Sequence, residues 1–234
     1  MNDTAVSDHL PVESNEIYVR TARHYDRLNN LMSFGTSKWY RRRVVASLDA
    51  PPESTLVDLG CGTGHIALAM QERIGPEGRV VAIDSCLPML AEAKRQGVRE
   101  VMEGRLDAIP LDDEFADGLV CGYTIRYATD LESTMKEIHR ILKPGAPVRF
   151  LEMTIPTSPM PRMLASILVR RLSPLAMTVF CRSRSAGDLM RHLWESVSSF
   201  RPPHDVIECM QAAGFQNVKH QGPWGMLMEY QGEA

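Results

Sequence analysis

The sequence predicts an α/β fold: a doubly wound, mostly parallel seven-stranded sheet with N-terminal helices and a helical lid insertion. Three observations carry this. From Thr55 onward, short β-branched runs alternate with helical patterns, which is the signature of a parallel sheet wrapped by helices. A glycine-rich turn joins the first of these runs to a helix, and two further strand-like runs end the chain.

The elements follow in order. Residues 1–15 are polar and acidic with no apolar run and are expected to form a disordered leader; 16–234 are expected to form a single domain. Residues 15–50 read as helical. TLVDLG (55–60) is a buried strand, followed by the glycine turn and a helix to about Arg73. RVVAID (79–84) is the second strand. LPMLAEAKRQG carries apolar residues at helical spacing and stops at Gly97. VMEGR (101–105) and GLVCGY (118–123) are the third and fourth strands. A helix over 131–142 ends at Lys143-Pro144-Gly145, and VRFLEMT (148–154) is the fifth strand. An apolar and basic insertion, 155–200, precedes a helix over 205–213 and the strands NVKHQ and MLMEYQG, which close the sheet as an antiparallel hairpin.

Composition narrows the function classes. With 26 Lys+Arg against 29 Asp+Glu the formal charge is -3, so no global field gathers a nucleic acid. Five cysteines without a CxxC pair argue against a disulfide framework or a structural zinc site, and suit a reducing, cytoplasmic setting. The most apolar stretch, 163–180, is interrupted by Arg170, Arg171 and Pro174 and does not read as a membrane span. Between Met153 and Gly187, however, there are five arginines and no acidic residue. A homo-oligomer is compatible with this composition.

The glycine turn points to a ligand. It reads Asp58-Leu-Gly60-Cys-Gly62-Thr-Gly64, between a strand and a helix, where glycines let backbone approach a bound molecule. A dinucleotide fingerprint would need glycine at 65, which is His65. Asp84, at the end of the second strand, is placed to accept ribose hydroxyls, so an adenosine nucleoside is implied. A carboxylate at 58 would repel a pyrophosphate but tolerates the ammonium and sulfonium of S-adenosylmethionine.

VDLGCGTG, VVAID, LDAIPLDDEFAD and EIHRILKPGAPVRFLEMT resemble the successive motifs of class I S-adenosylmethionine-dependent methyltransferases, with their Rossmann-like fold. HYDRLNNLMSFGTSKWYRR (24–42) and LMRHLWESVSSFRPPHDVIECMQAAGFQNVKH are similar to the flanks of the ubiquinone/menaquinone C-methyltransferase family, so the resemblance covers nearly all of the chain from Tyr18. It implies that Gly60, Gly62 and Gly64 line the methionine moiety, that Asp84 meets the ribose and that Met89 lies beside the adenine. Met89 equally fits the apolar stripe of its own helix. Arg105 stands where relatives carry an adenine-binding Asp or Asn, which leaves Asp107 or a backbone carbonyl for that contact.

In GYTIRYATD (122–130), Arg126 matches an Arg-Asn pair of the quinone methyltransferases, but Tyr127 replaces the Asn. Arg126 is the first catalytic candidate, stabilising a phenolate or holding a water; pairing with Asp130 is its structural alternative. Tyr127 would bond a quinone oxygen or plug the pocket, and Tyr25 would make a polar contact over the cofactor or pack on the sheet edge. His24 and His65 are not candidates for a base; capping or solvent contact is expected of His65. The 155–200 insertion would be the substrate lid, with 155–187 meeting the inner face of a membrane peripherally through its apolar residues and arginines.

The resemblance thus implies an S-adenosylmethionine-dependent enzyme modifying the ring of an isoprenoid quinone, by default through C-methyl transfer. Two alternatives stand beside it. The chain is similar also to rhodoquinone biosynthesis proteins, which install an amino group on the ubiquinone ring with a divalent metal assisting. The other is a non-catalytic cofactor-binding scaffold.

Overall fold

A computed structural model describes residues 12–22, 25–32, 36–156, 158–175, 178, 184–222 and 227–234. Three helices, α1 (Val12–Thr21), α2 (Tyr25–Met32) and α3 (Thr36–Ala46), precede β1 (Thr55–Leu59). Then come α4 (His65–Ile74), β2 (Arg79–Asp84), α5 (Leu87–Arg95), β3 (Glu100–Glu103), β4 (Gly118–Gly122), α6 (Leu131–Ile141) and β5 (Pro147–Met153). The chain continues through α7 (Pro159–Ala165), a π-helical stretch (Ser166–Leu172), α8 (Arg184–Ser199) and α9 (Pro203–Ala212), and ends with β6 (Gln216–Gln221) and β7 (Leu227–Glu233).

The seven strands lie in the order β3-β2-β1-β4-β5-β7-β6. β1 through β5 are parallel to one another, and β7 runs antiparallel to both β5 and β6, pairing Phe150 with Tyr230 and Tyr230 with His220. The expected doubly wound sheet and its closing hairpin are therefore present. β1 contacts both β2 and β4, so the strand order reverses there and a crevice opens beyond the strand ends.

Alternation along the strands feeds two cores. Val57, Leu59, Val81, Ile83, Leu119, Cys121 and Phe150 face Met135, Ile138 and Ile141 of α6 and Val206 and Met210 of α9. Leu56, Val80, Ala82, Val120 and Leu151 face Val44, Val45 and Leu48 from α3 onward and Ala67, Met70 and Ile74 of α4. Because the central strands are buried on both faces, they read as continuous apolar runs rather than as half-polar ones.

Three expectations shift. α1 begins at Val12, inside the segment expected to be a leader; residues 1–11 lie outside the described residues. β3 stops at Glu103 rather than at 105, because Arg105 turns back to bridge Ala108. Asp130, the expected partner of Arg126, instead caps α6 by accepting the Glu132 N–H at 3.1 Å.

The insertion divides in two. Leu189, Met190, Leu193 and Val197 of α8 form a core with Ile17 and Tyr18 of α1, Tyr25, and Met153 and Ile155 at the end of β5. Met160, Met163, Leu164, Ile167, Leu168, Leu172 and Leu175 stay exposed, as do Arg162, Arg170 and Arg171. Among the described residues no helix is long and apolar enough to cross a membrane.

Candidate active site

A cavity of about 680 Å³ fills the crevice beyond β1, β2 and β4. Its floor is the β1–α4 turn with Asp84 and the start of α5; its roof is Tyr18 and Val19 of α1 and Tyr25 of α2. Glu103 to Ala108 form one wall, and Gly122 to Thr124 with Tyr127 to Thr129 form the other.

The floor is organised by backbone. The Gly60 and Cys61 N–H groups both donate to the Ile83 carbonyl, at 2.7 and 2.9 Å, which ties the turn to β2. Gly60 has φ 70°, and a Cβ there would come within 2.3 Å of the Thr124 side chain. Gly62 has φ 53° and a Cβ there would meet no atom within 4 Å, so its backbone faces open space. Asp84 accepts the Gly62 N–H with Oδ2 and the Cys86 N–H with Oδ1, both at 2.8 Å. Each carboxylate oxygen keeps a further lone pair for a hydroxyl in the cavity. Burial raises the Asp84 pKa, against the three backbone hydrogen bonds that hold its charged form.

Two expected floor residues do not reach the cavity. Asp58 is fully buried beneath the turn, where Oδ2 accepts the Ala67 N–H at 2.8 Å and Oδ1 meets no hydrogen-bond donor. Burial pushes its carboxyl up to about 7, so the acid fixes the start of α4 instead of lining the site. Gly64, at φ 85°, is glycine because a Cβ would strike Val98 at 2.5 Å and Ala93 at 3.0 Å; it serves helix packing.

Met89 packs in the core of its helix and reaches the cavity. It is 2 % exposed among Ala22, Cys86, Tyr18 and Tyr25, and it also lines the cavity. Asp107 lines the wall with both oxygens accepting from the Arg105 guanidinium, at 2.8 and 2.6 Å, and this pairing holds its carboxyl below the usual range. The Arg105–Asp107 pair, rather than a free Asp107, is what the wall presents.

At the other end the site is built from side chains. Arg126 does not line the cavity: its side chain is 3 % exposed and its Nη1 donates to Oε1 of Glu152, itself fully buried, at 2.5 Å. Burial raises the Glu152 pKa, opposed by the guanidinium. Arg126 Nη2 donates to the Tyr127 hydroxyl at 3.3 Å, and the guanidinium carbon sits over the Tyr127 ring, 4.6 Å from its centroid. The Tyr127 and Tyr18 hydroxyls lie 2.7 Å apart, and Tyr18 packs edge-on against Tyr25, Tyr127 and His192. Tyr25 thus joins an aromatic wall at the roof.

Sequence reasoning missed Tyr18, Glu152 and His192. Glu152 had a readable signal, since a glutamate inside the apolar run VRFLEMT must find a partner. Tyr18 and His192 had none, as only the fold brings residues 18, 127 and 192 together.

Between the two ends lies Tyr123, a non-glycine residue at φ 62° directly after β4, with Arg41 5.6 Å over its ring. Asp26 of α2 fastens the roof to the floor by accepting from Thr63 Oγ1 at 2.7 Å, His65 Nε2 at 2.9 Å and Gln96 Nε2 at 2.5 Å. Although burial opposes it, these bonds hold its carboxyl down at about 2. His65 is therefore part of a clasp and not a solvent-facing cap; His24 lies outside the described residues. Among the described residues, the one group able to hold a metal is His204, Asp205 and Glu208 on α9, outside the cavity lining. The described residues of the 155–200 insertion do not line the cavity, and α8 packs behind the α1 roof.

This strand order, with a glycine turn after β1 and a cavity-lining acid at the end of β2, defines a class I S-adenosylmethionine-dependent methyltransferase. The floor suits that cofactor, because Gly62 leaves space at the turn and the Asp84 carboxylate faces the cavity. Comparisons take the assignment further. The model of the ubiE/COQ5 methyltransferase family matches residues 6–227, and the chain belongs to that family. It is 31% identical over 217 residues to a 2-phytyl-1,4-naphtoquinone methyltransferase of Thermosynechococcus vestitus, covering 91% of this chain and 94% of that protein. It is 28% identical over 208 residues to a demethylmenaquinone methyltransferase of Staphylococcus saprophyticus, covering 87% and 88% respectively. A crystal structure of an S-adenosylmethionine-dependent methyltransferase from Aquifex aeolicus shares the fold with a TM-score of 0.62 at 16% identity, over 89% of this chain and 97% of that one.

Proposed function

We propose that the enzyme transfers a methyl group to a ring carbon of an isoprenoid quinol. The observation that carries this reading is the two-ended cavity: a nucleoside floor faces an aromatic, hydroxyl-bearing roof across one continuous space. S-adenosylmethionine supplies a methyl group made electrophilic by the sulfonium. A C–C bond to the ring forms as the C–S bond breaks, and the ring hydrogen leaves as a proton to water. Gly60, Gly62 and Asp84 hold the cofactor. The tyrosines enclose the ring, and Arg126, fixed by Glu152, supplies positive charge close to where a ring oxygen ionises.

Exposed Met160, Met163, Leu164, Ile167, Leu168, Leu172 and Leu175, interleaved with Arg162, Arg170 and Arg171, form an apolar and cationic face suited to an anionic bilayer. In this reading the enzyme collects its substrate at the inner face of the membrane. Co-sedimentation with anionic vesicles is expected at low salt and reduced at high salt; the absence of binding in both rules out the membrane face.

The reaction is tested with purified protein, cofactor and a demethylated naphthoquinol. A product heavier by about fourteen mass units supports methyl transfer. Loss of about fifteen, for methoxy replaced by amino on a ubiquinone, would replace it with amino-group installation. Cofactor binding without consumption would favour a scaffold.

A further inference from the structure

Arg126 carries the positive charge of the substrate end, yet it cannot touch a molecule in the cavity, being almost fully buried against Glu152. Tyr127 and Tyr18 do line the cavity, and their hydroxyls are linked to Arg126 and to each other. We propose that Tyr18 is the catalytic residue that donates a hydrogen bond to the ionising ring oxygen, and that Arg126 is a positioning residue acting on it through Tyr127. The proposal rests on the reading of the substrate as a phenolic ring.

The direction of the hydrogen bonds follows from charge. The guanidinium can only donate, so the Tyr127 oxygen accepts from Arg126 Nη2 at 3.3 Å. Electron density drawn toward the cation makes the Tyr127 O–H a stronger donor. Among the described residues two acceptors are within reach: the Tyr18 oxygen at 2.7 Å and Ser196 Oγ at 3.5 Å. The first lies at the usual O–H···O distance and the second well beyond it. Ser196 moreover donates its own hydroxyl to the Leu193 carbonyl at 3.0 Å. With Tyr127 donating to Tyr18, the Tyr18 proton is released for a further acceptor, and the cavity is where it can find one. The chain runs Glu152, Arg126, Tyr127, Tyr18, substrate oxygen, each member polarising the next.

Two further features fit a donor that must be ready before the reaction. Burial, with the neighbouring Tyr127 and Tyr25, holds the Tyr18 hydroxyl well above its ordinary pKa, so it keeps its proton. Its ring is fixed by edge contacts to Tyr25 and Tyr127 at 6.0 Å and to His192 at 6.2 Å, which leaves little reorganisation to the moment of charge development. The groups facing the hydroxyl pair are thus Arg126 and Glu152 from the strand ends, Tyr25 from α2, and His192 and Ser196 from α8.

The test uses the full chain and a naphthol whose ionised form absorbs differently, titrated with S-adenosylhomocysteine present. Wild type is expected to bind the naphthol and ease its ionisation about tenfold, one pH unit, as a charge-assisted hydrogen bond does. Tyr18→Phe should abolish most of that shift while leaving calorimetric affinity for S-adenosylhomocysteine unchanged. Tyr127→Phe, which cuts the link to Arg126 without removing the donor, should abolish part of it, and it serves alone if the first variant does not fold. A naphthol that fails to bind wild type, or one whose ionisation is unmoved by either variant, overturns the proposal. In turnover, Tyr18→Phe should lower kcat about a hundredfold with the cofactor KM unchanged. If wild type methylates no quinol, the substrate reading fails, while the naphthol titration still decides the role of Tyr18.

Discussion

The two ends of the cavity each bury a carboxylate and deal with it differently. At the cofactor end, Asp58 has no counter-charge in hydrogen-bond contact: burial raises its pKa to about 7, and its one bond is to a backbone N–H. At the substrate end, Glu152 is matched by a full counter-charge on Arg126. The first end is a backbone construction, with turns, amides and glycines setting its shape. The second is a side-chain construction in which each group depends on the next, so substitutions there should propagate, whereas those at the floor should stay local.

The largest expected effect breaks the side-chain end. Glu152→Gln strands a buried guanidinium and should cost about 3–5 kcal/mol of stability, visible as a fall in Tm of roughly 10 °C or more. A loss below 1 kcal/mol by denaturant titration would show that the guanidinium finds other support.

Asp58→Asn probes the opposite end by pH. The folded protein binds a proton at Asp58 up to about pH 7, whereas an unfolded chain releases it near 4, so wild type loses stability as pH rises between these values. The Asn variant, still able to accept the Ala67 N–H, lacks that slope and should gain about 2–4 kcal/mol relative to wild type from pH 4 to pH 8. Parallel stability curves for the two proteins would place the Asp58 pKa at its ordinary value.

Two alanine substitutions sharpen the floor itself. Gly60→Ala forces a left-handed alanine into Thr124, 2.3 Å away, and should weaken cofactor binding by about 2–3 kcal/mol in calorimetry. Gly62→Ala has the same backbone penalty but no clash, and should cost about 1 kcal/mol. Equal losses would mean that backbone conformation alone, and not the approach to Thr124, sets the turn.

The same contrast governs what was legible in the sequence. β2 and its terminal Asp84 fall where the apolar run and the acid after it place them, because a strand and the turn that follows are local in sequence. The Asp58 role was misplaced since an acid in a glycine turn looks the same whether it faces a ligand or the helix start beneath it. The substrate end was only half visible. Arg126 and Tyr127 could be singled out, but the groups that give them meaning sit at 18, 152, 192 and 196 and meet through the fold alone. The insertion was recognised as apolar and basic, yet composition could not say that α1 would contribute to the roof of the cavity.

Tyr123 has a consequence for how the two ends of the cavity are spaced. At φ 62° the chain leaves β4 and enters the short 3-10 turn bearing Arg126 and Tyr127 within a few residues. Glycine would make that bend at lower backbone cost, but without a ring beneath Arg41. The molecule gives up local stability to keep tyrosine there. The offset between the glycine-turn floor and the Tyr127 wall is thereby cut into the main chain, as a fixed length and not an adjustable one.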